Sequence, residues 1–184
     1  MYKHTDKFSK EKLGEFFGDE PPFNTEVLKY YLKHFSFENM FMPDAMRYYL
    51  TFIEPPGESQ KIERICYEFA YRYYDDNPEV MTKEAACVYA FLLVMCHSNL
   101  YNPNVEQKNK MSLSMFSAMA AGVKKENNGV VPSQEYISAS YQNIVDKPIA
   151  VHWAQKRKEF LQEALNASSK KKEELCKTEY AKIL

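Results

Sequence analysis

The chain has 184 residues, of which 45% are hydrophobic, 15% are aromatic and only 5 are glycine. This composition predicts one packed, mostly helical domain and excludes a disordered chain or a glycine-rich β fold. Acidic and basic residues nearly balance, to a formal net charge of -1, so a nucleic-acid partner is not expected.

Membrane and metal chemistry are not indicated either. No apolar run is long enough to span a membrane, and the first residues lack the apolar segment of a signal peptide. The cysteines and histidines show no metal-ligand spacing, so neither a metal nor another cofactor is expected. Cys66, Cys87 and Cys96 lie within apolar helical patterns, which predicts reduced core cysteines in a cytosolic protein.

Apolar residues recur at helical spacing along most of the chain, with no strand-like alternation and no phosphate-binding glycine loop. Ser9, Asn24 and Thr82 are predicted to cap helices, since their side-chain oxygens can accept hydrogen bonds from a first helical turn. Gly14 is a weak point of the first helix, and Gly122 is expected to end the sixth. The sequence therefore predicts an all-α fold of about eight helices, the first seven within residues 9–17, 24–35, 42–53, 59–74, 85–98, 111–121 and 133–145.

The fifth helix is apolar on nearly all sides and is expected at the centre of the domain. The stretch that follows it, Asn99 to Val105, is turn-forming, and its amides beside a buried helix need to be bonded or used. From residue 149 the composition shifts to Lys, Glu, Gln, Ala and Ser. We therefore expect a domain over residues 1–148 and a charged helical extension, of one helix or two, over residues 149–184.

A tight turn, Pro55 to Gln60, separates the third and fourth helices and carries the carboxylate of Glu58. Two prolines stop the preceding helix, and Gly57 lets the chain reverse direction. Two interpretations of Glu58 remain open at this point. The carboxylate either complements the dipole of the next helix, for about 0.3 to 1 kcal/mol, or is a functional group at the tip of the turn.

Two motifs resemble the Sec-seven domain, the catalytic module of guanine-nucleotide exchange factors for Arf-family small GTPases. Residues 53–64, I-E-P-P-G-E-S-Q-K-I-E-R, match the family pattern F-x-L-P-G-E-A-Q-K-I-D-R. Residues 95–103 resemble the second pattern, M-L-N-T-D-L-H-N-P, and keep Met95, Leu100, Asn102 and Pro103 of it. The chain departs from the family in the other positions of this motif and in lacking the helices that usually come first.

The resemblance implies an irregular right-handed stack of helices with a surface groove, and an exchange activity without covalent chemistry. Glu58 would enter the nucleotide site of the GTPase, displace Mg²⁺ and repel the β-phosphate of the bound nucleotide, and Asn102 would hydrogen-bond the switch region. The partner-binding groove would then be formed by Gly57, Gln60, Lys61, Ile62, Arg64, Phe91, Val94, Met95, Pro103 and Met111.

Some of these roles have alternatives. Phe91 and Val94 belong either to the core or to the groove, and Lys61 and Arg64 are either rim charges that steer the partner or parts of a solvated helix face.

The implied partner is an Arf-family GTPase, GDP-bound or nucleotide-free. The protein would be cytoplasmic, with at most peripheral association with membranes, which leaves room for recruitment to the Golgi or endosomes. The alternative function is a helical module that binds such a GTPase, or another partner, without efficient exchange.

Overall fold

The computed structural model describes residues 9–126 and 132–150, and within these ranges the chain is all-α, as predicted. Seven α-helices and one short 3-10 helix, Gln107–Asn109, make up the described part of the chain. The α-helices are α1 (Lys10–Gly18), α2 (Pro22–Leu32), α3 (Met42–Tyr49), α4 (Ser59–Asp76), α5 (Lys83–Tyr101), α6 (Leu113–Glu126) and α7 (Gln134–Asp146).

Hydroxyl side chains start three of these helices. Ser9 accepts a hydrogen bond from the backbone N–H of Lys12 at 3.2 Å, and Thr82 accepts one from Ala85 at 3.3 Å. Ser133 begins α7 in the same way. Each hydroxyl satisfies a donor that has no partner inside the helix, so these starts follow from local chemistry and were predictable.

The predicted cap at Asn24 is wrong. The second helix begins at Pro22, where a missing N–H costs nothing, and Asn24 lies buried inside it. The Nδ2 group of Asn24 donates to the carbonyl of Phe16 at 2.7 Å and so joins α2 to α1. A buried amide needs such a partner, and here a tertiary contact supplies it in place of a local cap.

Three predicted boundaries also change. The third helix ends at Tyr49, so Ile53 contributes to the core from the following turn. The fifth helix continues through the expected turn to Tyr101, and Asn102 is its C-cap. The sixth helix passes through Gly122, which does not adopt the positive φ angle that ends helices at glycine.

Helix α5 is central, as predicted: α4, α6, α7 and α3 all pack against it. Its residues Ala86, Tyr89, Ala90, Leu93 and Cys96 are completely buried. A helix surrounded in this way has little surface in contact with water and so needs few polar residues, which explains its nearly uniform apolar sequence. One stripe of α5 nevertheless stays accessible, and it contributes to the site described below.

Aromatic rings form the part of the core between α3 and α4. The ring of Tyr49 stacks on Phe69 at 5.6 Å, and Phe37 meets Phe69 edge-on at 5.2 Å. Asn77 holds the Phe37 segment in place, because its buried Nδ2 donates to the Phe37 carbonyl at 2.9 Å. These contacts join segments far apart in the chain, so only the folded protein brings them together.

The three cysteines of the described residues are reduced and buried. Burial raises the pKa of Cys66 and of Cys96 to about 12, which makes both poor nucleophiles. Between residues 9 and 150, leaving out 127–131, no helix is both long and apolar enough to cross a membrane. The predicted C-terminal extension lies outside the described residues from position 151 onward, so it stays a prediction.

Candidate functional site

The turn before α4 anchors its apolar residues and exposes its carboxylate. Ile53, Pro55 and Pro56 are buried, Gly57 is half-buried, and Glu58 is exposed. Glu58 is the N-cap of α4, but its side chain makes no capping hydrogen bond. A residue at this position normally uses its side chain to satisfy the first helical N–H groups. The carboxylate of Glu58 is therefore exposed next to an anchored turn and makes no capping hydrogen bond to α4.

Helix α1 lies directly against this turn. The N–H of Glu54 donates to the carbonyl of Lys10 at 3.0 Å. A Cβ atom built on Gly14 would lie 1.7 Å from the carbonyl oxygen of Glu54, and one built on Gly18 would lie 2.6 Å from the Cβ of Lys61. Only glycine permits so close an approach of two backbones. The weak point predicted at Gly14 is thus a contact surface for the turn.

Lys61 and Arg64 are half-buried and contact α1, which contradicts the solvated helix face, while their role as rim charges stays a prediction. Lys61 forms ion pairs with Glu15 at 2.7 Å and with Asp19 at 2.8 Å, and its side chain is only 20% exposed. Hydrogen bonds to Asp19 and Glu15 raise the pKa of Lys61. Arg64 donates to the carbonyl of Gly18 at 2.7 Å. Both side chains attach the first turns of α4 to α1.

Asn102 caps the C-terminal end of α5 and shapes the loop that follows. Its N–H donates to the Ser98 carbonyl at 2.9 Å, and its Oδ1 accepts from the N–H of Asn104 at 2.9 Å. This side-chain turn sets the direction of the amide. Within residues 9–126 and 132–150, the Nδ2 group of Asn102 makes no hydrogen bond. Its two donors are therefore open to a partner, and the neighbouring Pro103 is exposed.

Lys110 fixes the same loop, a role that the sequence analysis missed. Its ammonium donates to the carbonyl of Asn99 at 2.9 Å and to that of Asn102. Positive charge at the end of a helix is stabilised by the helix dipole. The Oδ1 of Asn99 accepts from the N–H of Met111, so the loop is closed from both sides. A lysine that reaches back to a helix end leaves no periodic signal in the sequence.

Among the positions at which the second motif departs from the family, His97 is buried, Asn99 and Tyr101 are half-buried, and Ser98 is exposed. His97 is 2% exposed and packs against Tyr101, with 5.1 Å between the ring centroids. The Tyr101 hydroxyl donates to the carbonyls of Ile144 and Val145 at 2.9 and 3.0 Å, at the end of α7. Asn99 bonds Met111, as described above. All three residues therefore make contacts within this chain.

The accessible stripe of α5 consists of Val88, Phe91 and Met95. These residues stand three and four positions apart, so they lie on one side of the helix. Val88 and Met95 are each 40% exposed, and Phe91 is half-buried. Helix α4 borders this stripe with two exposed tyrosines, Tyr67 and Tyr71. The ammonium of Lys83 lies over the ring of Tyr71, 4.2 Å from its centroid. The result is an apolar surface along the α4–α5 pair.

Two of the predicted groove residues lie in the core: for Val94 this is one of the two alternatives that the sequence left open, and for Met111 it is a correction. Val94 is 6% exposed and lines a small apolar pocket with Pro55 and Ile62, beneath the turn. Met111 is 7% exposed, and its carbonyl accepts a hydrogen bond from Tyr141 at 2.8 Å. Gln60 is exposed and Ile62 is half-buried at the start of α4.

The turn and the Asn102 loop lie at the same end of the molecule. Helices α4 and α5 pack against each other and are joined by a short connection, so they run in opposite directions. The start of α4 therefore lies beside the second half of α5, where Ile62 and Val94 line the same pocket. Glu58 and Asn102 thus lie at the same end of the α4–α5 pair. We call Glu58, the accessible stripe of α5 and Asn102 together the candidate face. In the described ranges, no group of three acidic, histidine or cysteine side chains could hold a metal ion.

Known proteins are similar to this chain in sequence and in fold. The family model for the Sec7 domain matches residues 1–149. The human Brefeldin A-inhibited guanine nucleotide-exchange protein 1 is 32% identical over 149 residues, which is 79% of this chain and 8% of that protein. The Dictyostelium discoideum ankyrin repeat, PH and SEC7 domain containing protein secG is 32% identical over 146 residues, 78% of this chain and 14% of that protein.

A solved structure agrees with these matches. The Sec7 domain determined with ARF1-GDP and Brefeldin A superposes with a TM-score of 0.69 at 26% identity, covering 80% of this chain and 72% of that one. The curated relatives above are much longer proteins, since this chain spans only 8% and 14% of their lengths. The match over residues 1–149 includes the Glu58 turn, α5 and the Asn102 loop, and by it the chain belongs to the Sec7 domain family.

Proposed function

We propose that this chain is a guanine-nucleotide exchange factor for an Arf-family small GTPase and that Glu58 expels the bound nucleotide. Membership of the Sec7 domain family supports the activity, as does similarity to a named guanine nucleotide-exchange protein. The solved relative in complex with ARF1-GDP supports the class of partner. Exchange is a change of binding equilibrium and needs no covalent step, so the reaction requires only charge, shape and a competing contact.

The observation that carries the proposal is the exposed carboxylate of Glu58 on an anchored turn, with no capping bond to its own helix. A carboxylate brought near the β-phosphate raises the energy of the nucleotide-bound state, because two negative charges at close range in a poorly solvated site repel strongly. The same carboxylate would displace the Mg²⁺ ion from the nucleotide site of the GTPase. Each tenfold preference for the nucleotide-free GTPase corresponds to about 1.4 kcal/mol.

The rest of the face would bind the GTPase. The Nδ2 group of Asn102 offers two donors to a switch-region carbonyl or side chain, in a direction set by the Asn104 turn. The stripe of Val88, Phe91 and Met95 offers apolar surface between this amide and α4. Apolar contacts of this kind supply affinity for the GTPase, whereas the charge of Glu58 would make that affinity higher for the nucleotide-free GTPase than for the nucleotide-bound one.

A second candidate is a module that binds a GTPase without efficient exchange. The divergent residues His97, Asn99 and Tyr101 motivate it, because they replace family residues in the second motif. All three contact other parts of this chain, and the substitutions do not alter Glu58 or Asn102. This placement favours the exchange function over the binding-only function.

The test is release of a fluorescent GDP from a panel of Arf-family GTPases. Wild-type chain is expected to accelerate release from at least one of them, and Glu58→Lys to reduce this acceleration by about 100-fold or more, because the repelling charge is reversed. Glu79→Lys makes the same charge change on an exposed residue in the α4–α5 connection, at the opposite end of the pair, and should exchange like wild type.

Two results would count against the proposal. Release by Glu58→Lys at the wild-type rate would show that Glu58 is not the group that expels nucleotide. Binding of the nucleotide-free GTPase without any acceleration of release by the wild-type chain would favour the binding-only function instead.

A further inference from the structure

We propose that α1 is a positioning element for exchange, and that Gly14 is the residue through which it sets the place of Glu58. This inference rests on the proposed function, since it assigns α1 a role in the same reaction. The observation behind it is that α1 contacts the chain on both sides of Glu58, four residues before it at Glu54 and three residues after it at Lys61.

The first contact fixes the distance between the backbone of the turn and α1. The Glu54 N–H donates to the Lys10 carbonyl at 3.0 Å, and the Glu54 carbonyl lies where a Cβ of Gly14 would be, at 1.7 Å. Cβ atoms essentially never approach closer than 3.0 Å. An added methyl group would therefore push the backbone of Glu54 and α1 apart by more than about 1 Å, because a packed interior has no room to absorb it.

The turn would pass this displacement on to Glu58. Pro55 and Pro56 follow Glu54 directly, and their rings hold φ near one value, so few torsions remain between Glu54 and Gly57 that could compensate. Both prolines are also buried. A shift of the Glu54 backbone is thus expected to move the carboxylate of Glu58 as well.

The second contact holds the other side. Gly18 lets α1 approach the Cβ of Lys61, whose ammonium pairs with Glu15 and Asp19 at 2.7 and 2.8 Å. Arg64 adds a hydrogen bond to the Gly18 carbonyl at 2.7 Å. The start of α4 is therefore attached to α1 by short polar bonds and by close packing. Because both sides of Glu58 are fixed to one helix, α1 determines where the carboxylate stands relative to the rest of the face.

The test compares two glycine-to-alanine changes in the full chain, using the GTPase that wild type acts on. Gly14→Ala introduces the overlap with Glu54, whereas a Cβ at Gly122, in α6, would meet nothing within 4 Å. Gly14→Ala is expected to lower the maximal release rate at saturating chain by about 100-fold, as misplacement of a reacting group by about 1 Å does. The half-saturating concentration should change by less than about threefold, since the apolar stripe and Asn102 are unaltered. Gly122→Ala should match wild type in both.

A double-mutant cycle separates positioning from general damage to the fold. If α1 acts through Glu58, then Gly14→Ala placed in a Glu58→Gln background should slow release no further. If Gly14→Ala lowered the release rate by the same factor in the wild-type and in the Glu58→Gln background, the proposal would be overturned. So would a wild-type maximal rate in Gly14→Ala.

A second variant covers the case in which Gly14→Ala does not fold. Lys61→Met removes both ion pairs without any overlap, and it should lower the maximal rate by several-fold, as should the double change Glu15→Gln with Asp19→Asn. Wild-type rates in both would overturn the proposal while leaving the proposed function intact. A wild-type chain that accelerates release from no Arf-family GTPase would instead overturn the proposed function, and this inference with it.

Discussion

Lys110 provides a test of how the Asn102 loop is held that does not depend on any activity. Its ammonium donates to the carbonyls of Asn99 and Asn102 at the end of α5. Lys110→Met keeps most of the side-chain volume and removes both bonds. Hydrogen bonds from a charged group are worth about 1.5–3 kcal/mol, and charge at a helix end adds a few tenths, but water can reach these part-buried carbonyls afterwards. The expected loss in the free energy of unfolding is therefore about 2 kcal/mol.

The matched control is Lys108→Met, two residues earlier in the same loop. Lys108 pairs with Glu106 at 2.8 Å, but the two side chains are 78% and 66% exposed, so the pair should contribute less than about 0.5 kcal/mol. In thermal unfolding followed by circular dichroism, Lys110→Met should lower the Tm by roughly 4–8 °C and Lys108→Met by at most about 2 °C. Equal shifts for the two variants would refute the reasoning that Lys110 closes the loop.

Two further predictions concern the face and its support. Met95→Glu puts a charge into the exposed stripe of α5, so it should raise the half-saturating concentration in the exchange assay at least about tenfold. The Tm should change by less than about 2 °C, because the side chain is exposed. An unchanged half-saturating concentration would remove Met95 from the interface. Tyr101→Phe loses two hydrogen bonds to α7, at a cost of about 1 kcal/mol and roughly 2–4 °C in Tm. Tyr30→Phe, on an exposed ring, should leave the Tm unchanged, and a similar fall in both variants would contradict the assignment.

The parts of the fold that depend on local chemistry were predictable. The caps at Ser9 and Thr82 involve atoms three residues apart, so the sequence shows both partners together. The all-α class and the central place of α5 follow from the spacing and extent of apolar residues. The cap predicted at Asn24 was wrong because its partner, Phe16, belongs to another helix. Where a polar group finds its partner across the fold, local patterns mislead.

The same distinction applies to the site. The Pro-Pro-Gly-Glu turn and the Asn-Pro pair could be found from sequence, because rigid turns have characteristic residues. The uses of Lys61 and Lys110 could not, since each meets its partners only after helices have packed. Likewise, Val94 has the same apolar character as Met95, and only its position beneath the turn places it in the core.

By itself, the sequence determined the all-α class, the approximate places of the seven described helices, the two turns that bear Glu58 and Asn102, and the family. The tertiary structure decided which side chains are available to a partner, because availability depends on contacts between segments distant in the chain. Glu58 and Asn102 retain exposed or unbonded groups, whereas Lys61 and Arg64 are bound to α1. Gly14 shows the difference most directly. A residue that weakens an isolated helix is, in the folded protein, the point at which α1 can approach the turn that bears Glu58.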